Sequence, residues 1–315
     1  MGEYARVPEL DVADAETLLE PDDSGEGNWV GAPCVHRYDG DAYLAVRERT
    51  SEARGSGVRI FEYEAGNGGE LREVAAVSAD ELGVESVERP AMATDPGTGD
   101  LRLYLPVDRG TGDWRIVSLA PAADPTEFDS TTARTVLAPR EGTTDRATVK
   151  DPHVVALGGR LHMFYSGHDG ASEQAHLATS TDGETWTRSP ANPVFERGGW
   201  HDHHTRVSCV LPAPDAPVWQ VFYEGSGRAD YGRTWNLRTG MAVARDFETI
   251  REASARGPTY WADTTDRRVG VDTLTACRYL DALDRGDEWE LFFEVARDDG
   301  AFELRRARVD VGTKR

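Results

Sequence analysis

The sequence is almost without lysine. Of 35 basic residues only Lys150 and Lys314 are lysines, and they stand against 56 acids for a formal charge of -21. A field of that sign repels nucleic acid and anionic membrane surfaces, which argues against both as partners. Cysteine is nearly as scarce. Cys34, Cys209 and Cys277 are odd in number and far apart, which argues against a disulfide framework and leaves small buried thiols as the reading. No apolar run approaches the roughly 20 residues of a membrane-spanning helix. The acidic N-terminus lacks the charged and apolar regions of a secretory signal, so the expected location is the cytoplasm. Dense carboxylates with so little lysine resemble the composition of haloarchaeal-type proteins from salt-saturated cytoplasm, where carboxylates hold water and ions while screening mutes their repulsion.

What the sequence does contain is repetition. One unit runs PHVVA, the turn LGG, the aromatic strand RLHMFYSG, the loop HDGASE, and a third strand opening QAHLATSTDGETW. Four other segments repeat this order of short apolar strand, Gly or Asp turn, aromatic strand, polar loop and third strand. With Pro33, Pro90, Pro152, Val207 and Thr275 taken as equivalent, the steps are 57, 62, 55 and 68 residues. A fourth strand is weaker, as in ARTVLAP or NPVFE. Radially repeated units of about four strands are propeller blades, whereas a sandwich or barrel does not predict a fivefold repeat of one hairpin. The expected fold is therefore all-β: a five-bladed β-propeller with about four antiparallel strands per blade, forming one domain over residues 1–315. Blades fall near 28–80, 86–140, 148–197, 200–256 and 268–315, and a strand within 5–19 completes the last. Helix is expected only near Ala79 to Val84. The three cysteines fall on first strands, near the axis, where crowding favours small residues.

First strands that line an axis bring their leading residues to one mouth of the central funnel, and second strands return their ends to it. The first group contains Glu88, Arg89, Lys150, Asp151, His153, Asp202, His203, His204, Arg206 and Asp272; the second contains Arg47, Glu48, Arg49, His168, Glu224 and Glu294. Carboxylates interleaved with arginines at a mouth suit a polyhydroxylated ligand. Trp29, Trp200, Trp235 and Trp261 lie in loop patterns and could stack on sugar faces, whereas Trp114 and Trp289 read as core.

The blade starts ERP and KDP, the segment GGWHDHHTRV, the strand VFYEG and the turn STDGETW resemble the propeller glycosidases of glycoside hydrolase family 43 and relatives in families 32, 68, 117 and 130. The likeness spans nearly all five blades. It implies a glycoside hydrolase-like enzyme in which one carboxyl protonates the departing oxygen and another acts as base or nucleophile. On that resemblance Asp151 supports the sugar, Glu224 is the proton donor, and Glu88 or Asp272 completes the catalytic set. Lys150, Arg89, Arg206, His153, Arg47, Glu294 and Trp200 form the substrate-binding set. Lys150 is expected to pair with Glu88 across the blade boundary. The family's acidic residue at the start of blade one is absent, because Gly31-Ala32-Pro33 stands there.

Two further readings stay open. The HDHH run places His203, Asp202 and His204 where they could ligate calcium or a transition metal, with His153 or His168 in support, which would suit a metal-assisted lyase or isomerase of a sugar acid. Successive residues of an extended strand face opposite sides, so one inward histidine is expected. The other reading is a noncatalytic carbohydrate-binding propeller. No cofactor is required by the sequence, and the expected partner in all three cases is a carbohydrate or sugar derivative.

Overall fold

The structure, a computed structural model, describes residues 7–64, 69–214, 216–228, 236–254, 256–264 and 274–311. Strands are built on buried stretches alternating with turns that demand left-handed backbone. Asp39 and Gly40, at φ 50° and 95°, form a two-residue hairpin between Tyr38 and Asp41, and Gly158-Gly159 does the same between Leu157 and Arg160. The short helix Ala79–Leu82 sits where expected. Ser78 and Glu81 cap it reciprocally and Gly83 ends it at φ 64°.

The strands fall into five antiparallel groups. Blade one contains Trp29–Tyr38, Asp41–Arg49, Gly57–Glu64 and Glu70–Ser78. Blade two has an interrupted first strand, Ser86–Val87 and Ala91–Thr94, followed by Leu101–Asp108, Trp114–Ser118 and Arg134–Leu137. Blade three is Thr148–Leu157, Arg160–His168, Glu173–Ser180 and Thr187–Arg188. Blade four is His204–Pro212, Trp219–Ser226, Arg238–Ala244 and Ile250–Glu252. Blade five is Cys277–Asp284, Glu288–Ala296 and Phe302–Asp310, and the N-terminal strand Glu16–Leu19 pairs with the last of these.

The hydrophobic core shows that the blades form a closed ring. One buried cluster joins Ile60 of blade one with Leu103 of blade two, and another joins Tyr104 of blade two with Met163 of blade three. A third cluster joins Phe164 of blade three with Val221 of blade four, and Phe222 of blade four meets Trp289 of blade five edge-on. Leu44 and Phe292 close the ring between five and one. Every blade thus buries both faces against neighbours, which removes exposed sheet edges except at the rim. Among the described residues no helix is long and apolar enough to cross a membrane.

Strand pairing corrects the repeat register. In blades one, three and five two residues of the first strand oppose one of the second, between Gly31 and Cys34, Lys150 and His153, and Arg278 and Asp281. The first of the two is left-handed each time: Ala32 at φ 49°, Asp151 at 52° and Tyr279 at 56°. The counterpart of Pro33 and Pro152 is therefore Leu280, not Thr275. Thr275 looked equivalent because Thr275 to Arg278 is itself a short apolar stretch, while the bulge that sets the register leaves no compositional mark. Cys277 consequently lies before the bulge, and Asp281 takes the axial place held by Cys34 and Cys209.

Candidate active site

Three layers of side chains fill the centre. The deepest contains Cys34, His153, Cys209 and Asp281, all immediately after the bulge of their blades. Among the described residues, His153, Cys209 and Asp281 are the group whose ligand atoms lie within 4.8 Å of one another. They do not fit a metal. His153 Nε2 accepts the Val210 N–H at 3.1 Å, and Asp281 accepts N–H bonds from Val35 and Ala282. Burial pushes the Cys209 thiol far up, and the thiol hydrogen-bonds Asp281. The local cation is already present: Arg89, 1% exposed, donates to the carbonyls of Pro33 and Ser208 and lies 3.8 Å from Asp281. Arg89 and His153, expected to bind substrate, are thus structural plugs of the axis. Burial drives His153 down to about 3, so the ring is neutral.

The expected metal set does not assemble either. Asp202 is exposed and accepts the Arg228 N–H, and His203 packs edge-on against His204. His204 turns inward alone, its Nδ1 accepting the Glu173 N–H at 2.9 Å, and burial lowers it to about 3. Asp272 lies outside the described residues.

The middle layer is a buried ion network. Arg206 donates to Asp151 at 2.7 Å and to Glu224 at 2.6 Å, and Arg47 lies 2.9 Å from Glu294 and 3.2 Å from Glu88. Glu294 also accepts from Arg278 at 2.6 Å. Both oxygens of Glu224 are occupied, because Oε1 accepts the Tyr279 N–H at 2.6 Å. Asp151, Arg206, Glu224, Arg47 and Glu294 are buried and do not line the cavity above them. They are brought together as expected, but as a charged floor. Trp200 is also withdrawn: its indole donates to Ser254 O and stacks on Tyr223, lying over Gly225 and Gly240 where a Cβ would collide with it.

The outer layer is a cavity of about 290 Å³ at the mouth. Trp29 and Trp114 line it, together with Glu88, Lys150, Glu173, Arg49, Arg54, His168, Arg278 and Tyr279. Lys150 reaches it because the bulge turns Asp151 inward to Arg206 and frees Lys150 for the mouth. Its partner is Glu173 of the same blade at 2.8 Å, not Glu88. Burial opposes ionisation of Glu173, but Lys150 and Arg206 outweigh it and hold the carboxyl far below its ordinary range. Glu88 follows the same logic: burial raises it, Arg47, Lys150, Arg49 and Arg278 lower it more, and the net is downward. The Tyr279 phenol is pushed up to about 12 by burial and nearby carboxylates despite Arg206, so it keeps its proton at neutral pH.

Tyr279, Glu173 and Trp114 were not expected at the mouth. Tyr279 was hidden by the blade-five register. Glu173 opens a third strand, whose start faces the mouth just as second-strand ends do, and that topology was the available signal. Trp114 also opens a third strand, where position along the strand outweighed its apolar pattern.

No family model matches the chain, and no curated protein matches it. Solved structures do match. The fold is shared with propeller glycoside hydrolases. A family 117 glycoside hydrolase from Zobellia galactanivorans is similar at TM-score 0.63 and 16% identity, covering 93% of this chain and 88% of its own. A thermostable family-43 glycoside hydrolase gives TM-score 0.62 and 14% identity, covering 92% of each chain. A β-1,2-mannobiose phosphorylase from Listeria innocua gives 0.60 and 12%, covering 94% and 93%.

Proposed function

We propose that the protein is a glycosidase-like enzyme that binds a sugar at this mouth. The observation that carries the reading is Glu88: its Oε2 pairs with Arg47, while Oε1 has no hydrogen-bond or ion-pair partner among the described residues and borders a cavity walled by two tryptophans. An ionised carboxylate at a cavity with aromatic lining can stabilise positive charge developing on a sugar ring, or act as base or nucleophile. The glycoside hydrolases and the phosphorylase of the same fold, which act on sugars, support this choice of ligand.

Proton delivery falls to a different kind of group. Glu88 and Glu173 are both held as anions, and Glu224 is committed to Arg206 and a backbone N–H. The Tyr279 phenol lines the cavity, accepts from Arg206 at 3.2 Å, and retains a proton to donate. Tyr279 is therefore assigned to the departing oxygen. Glu88→Gln keeps the shape and removes the charge. Against a panel of aryl glycosides and oligosaccharides, it should lose at least about a hundredfold in turnover while still binding sugar. Wild-type turnover in Glu88→Gln would end the proposal.

A further inference from the structure

The cavity has the opposite charge to the chain that forms it. Four of its lining residues are cations and two are carboxylates, in a protein of net charge -21. Three of those cations have carboxylate partners: Lys150 with Glu173, Arg278 with Glu294, and Arg54 with Asp108. Arg49 has none. Its guanidinium lies 4.2 Å from the centre of the Trp29 ring, its Nε is buried without a hydrogen-bond partner, and no carboxylate of the described residues comes within 4.0 Å. Burial, with Arg47, Arg54 and Arg278 nearby, pushes Arg49 down against the pull of Glu88. A half-buried cation surrounded by like charge and left unpaired costs free energy that a bound anion would return.

We propose that this mouth takes a sugar bearing one carboxylate, a uronic-acid-type glycoside, whose carboxylate pairs with Arg49 while its ring lies in the cavity toward Trp114. The inference rests on the reading of the mouth as a sugar site. A planar guanidinium matches a carboxylate through two parallel N–H bonds, and its stacking on Trp29 fixes the plane in which they point. The charge favours a monoanion over a phosphate dianion, because Glu88 and Glu173 share the same walls and would repel the second charge. The volume also fits one ring with a short aglycone, at the small end of ligand pockets.

The test is calorimetric titration at fixed KCl with the methyl glycosides of glucuronic and galacturonic acid, their neutral glucose and galactose counterparts, and inorganic phosphate. At least one uronide should bind about tenfold or more tighter than its neutral counterpart, which is about 1.4 kcal/mol. The ratio should collapse toward one in Arg49→Gln, with the melting curve showing that the variant is folded. Equal binding of acidic and neutral sugars overturns the inference and leaves the sugar site standing. So does a uronide preference that survives Arg49→Gln. Arg49-dependent binding of phosphate without uronide binding overturns it in favour of a free oxyanion, and binding of no sugar at all overturns both readings.

Discussion

Replacing Lys150 by methionine removes an ammonium 2.8 Å from a carboxylate that is 1% exposed, while keeping most of the side-chain volume. Glu173 then remains with Arg206 Nε and His204 Nδ1, each at 3.8 Å, and His204 is neutral. Breaking a buried pair from one side costs about 3–5 kcal/mol, because the surviving charge stays desolvated. Arg206 offsets part of that, so about 3 kcal/mol is expected, or roughly 6 °C in melting temperature at about 2 °C per kcal/mol for a chain of this size. The pH dependence separates this cause from lost packing. Glu173 has a depressed folded pKa, so its contribution is full above the unfolded value of about 4.3 and is lost progressively as pH falls from there through the folded value. Lys150 has a raised folded pKa, so its contribution is present below about 10.4 and is lost as pH rises beyond. The gap between wild type and Lys150→Met in calorimetric melts should therefore be full from about pH 5 to 9 and narrow only below about pH 4, as pH falls toward the depressed folded value of Glu173. Lys150→Arg keeps the charge and should keep most of the stability. It should nevertheless lose activity, because a planar guanidinium does not fit where a compact ammonium meets Glu173 beside Trp114. A gap that fails to narrow at all as pH falls below about 4, or one under about 1 kcal/mol at neutral pH as for a surface pair, would refute the reasoning.

Two other outcomes follow from charge. With 56 acids against 35 bases, self-repulsion is screened over about 3 Å at 1 M salt and 30 Å at 0.01 M, so the melting temperature should climb steeply as KCl approaches molar levels; a flat profile would contradict the halophilic reading. Because Arg89 supplies the axial cation beside Asp281, EDTA or added calcium at constant ionic strength should leave melting temperature and sugar binding unchanged; a rise of several degrees with calcium would show a metal site where Arg89 sits.

Fold legibility came from features that composition records. Alternating apolar residues, Asp-Gly and Gly-Gly turns and five aromatic second strands are local, and a ring is what five such units form when each must cover both faces. The site was less legible because it depends on register. Arg206, Asp151, Glu224, Arg47 and Glu294 meet as expected, since second-strand ends are set by simple pairing with the first. Their burial and pairing were not legible, because sequence shows charges without showing that each acid has an arginine within 3.2 Å. Lys150 and Tyr279 were harder still. A bulge of one extra residue decides which of two neighbours faces the mouth, and it moved Lys150 there while turning Asp151 to the floor.

The same geometry explains why blade one has no acid at its bulge. Gly31 stands against Glu294 of blade five so closely that a Cβ would lie 2.6 Å from the glutamate side chain. Glu294 therefore occupies the quadrant that an acid on blade one would otherwise fill, and it bridges Arg47 and Arg278 from there. A carboxylate at Ala32 would place another anion beside Glu88 and Glu294, with Arg47 already shared between those two. Coulomb repulsion in so buried a setting would then require a further cation. The negative charge of the mouth has thus been redistributed to Glu294 on one side of blade one and Glu88 on the other. Of these, Glu294 is 0% exposed and tied to two arginines, while Glu88 keeps an oxygen toward the cavity. The reacting carboxylate is consequently sought on blade two, and the arginines gathered to hold these acids leave Arg49 unmatched at the rim, where a ligand's own charge completes the set.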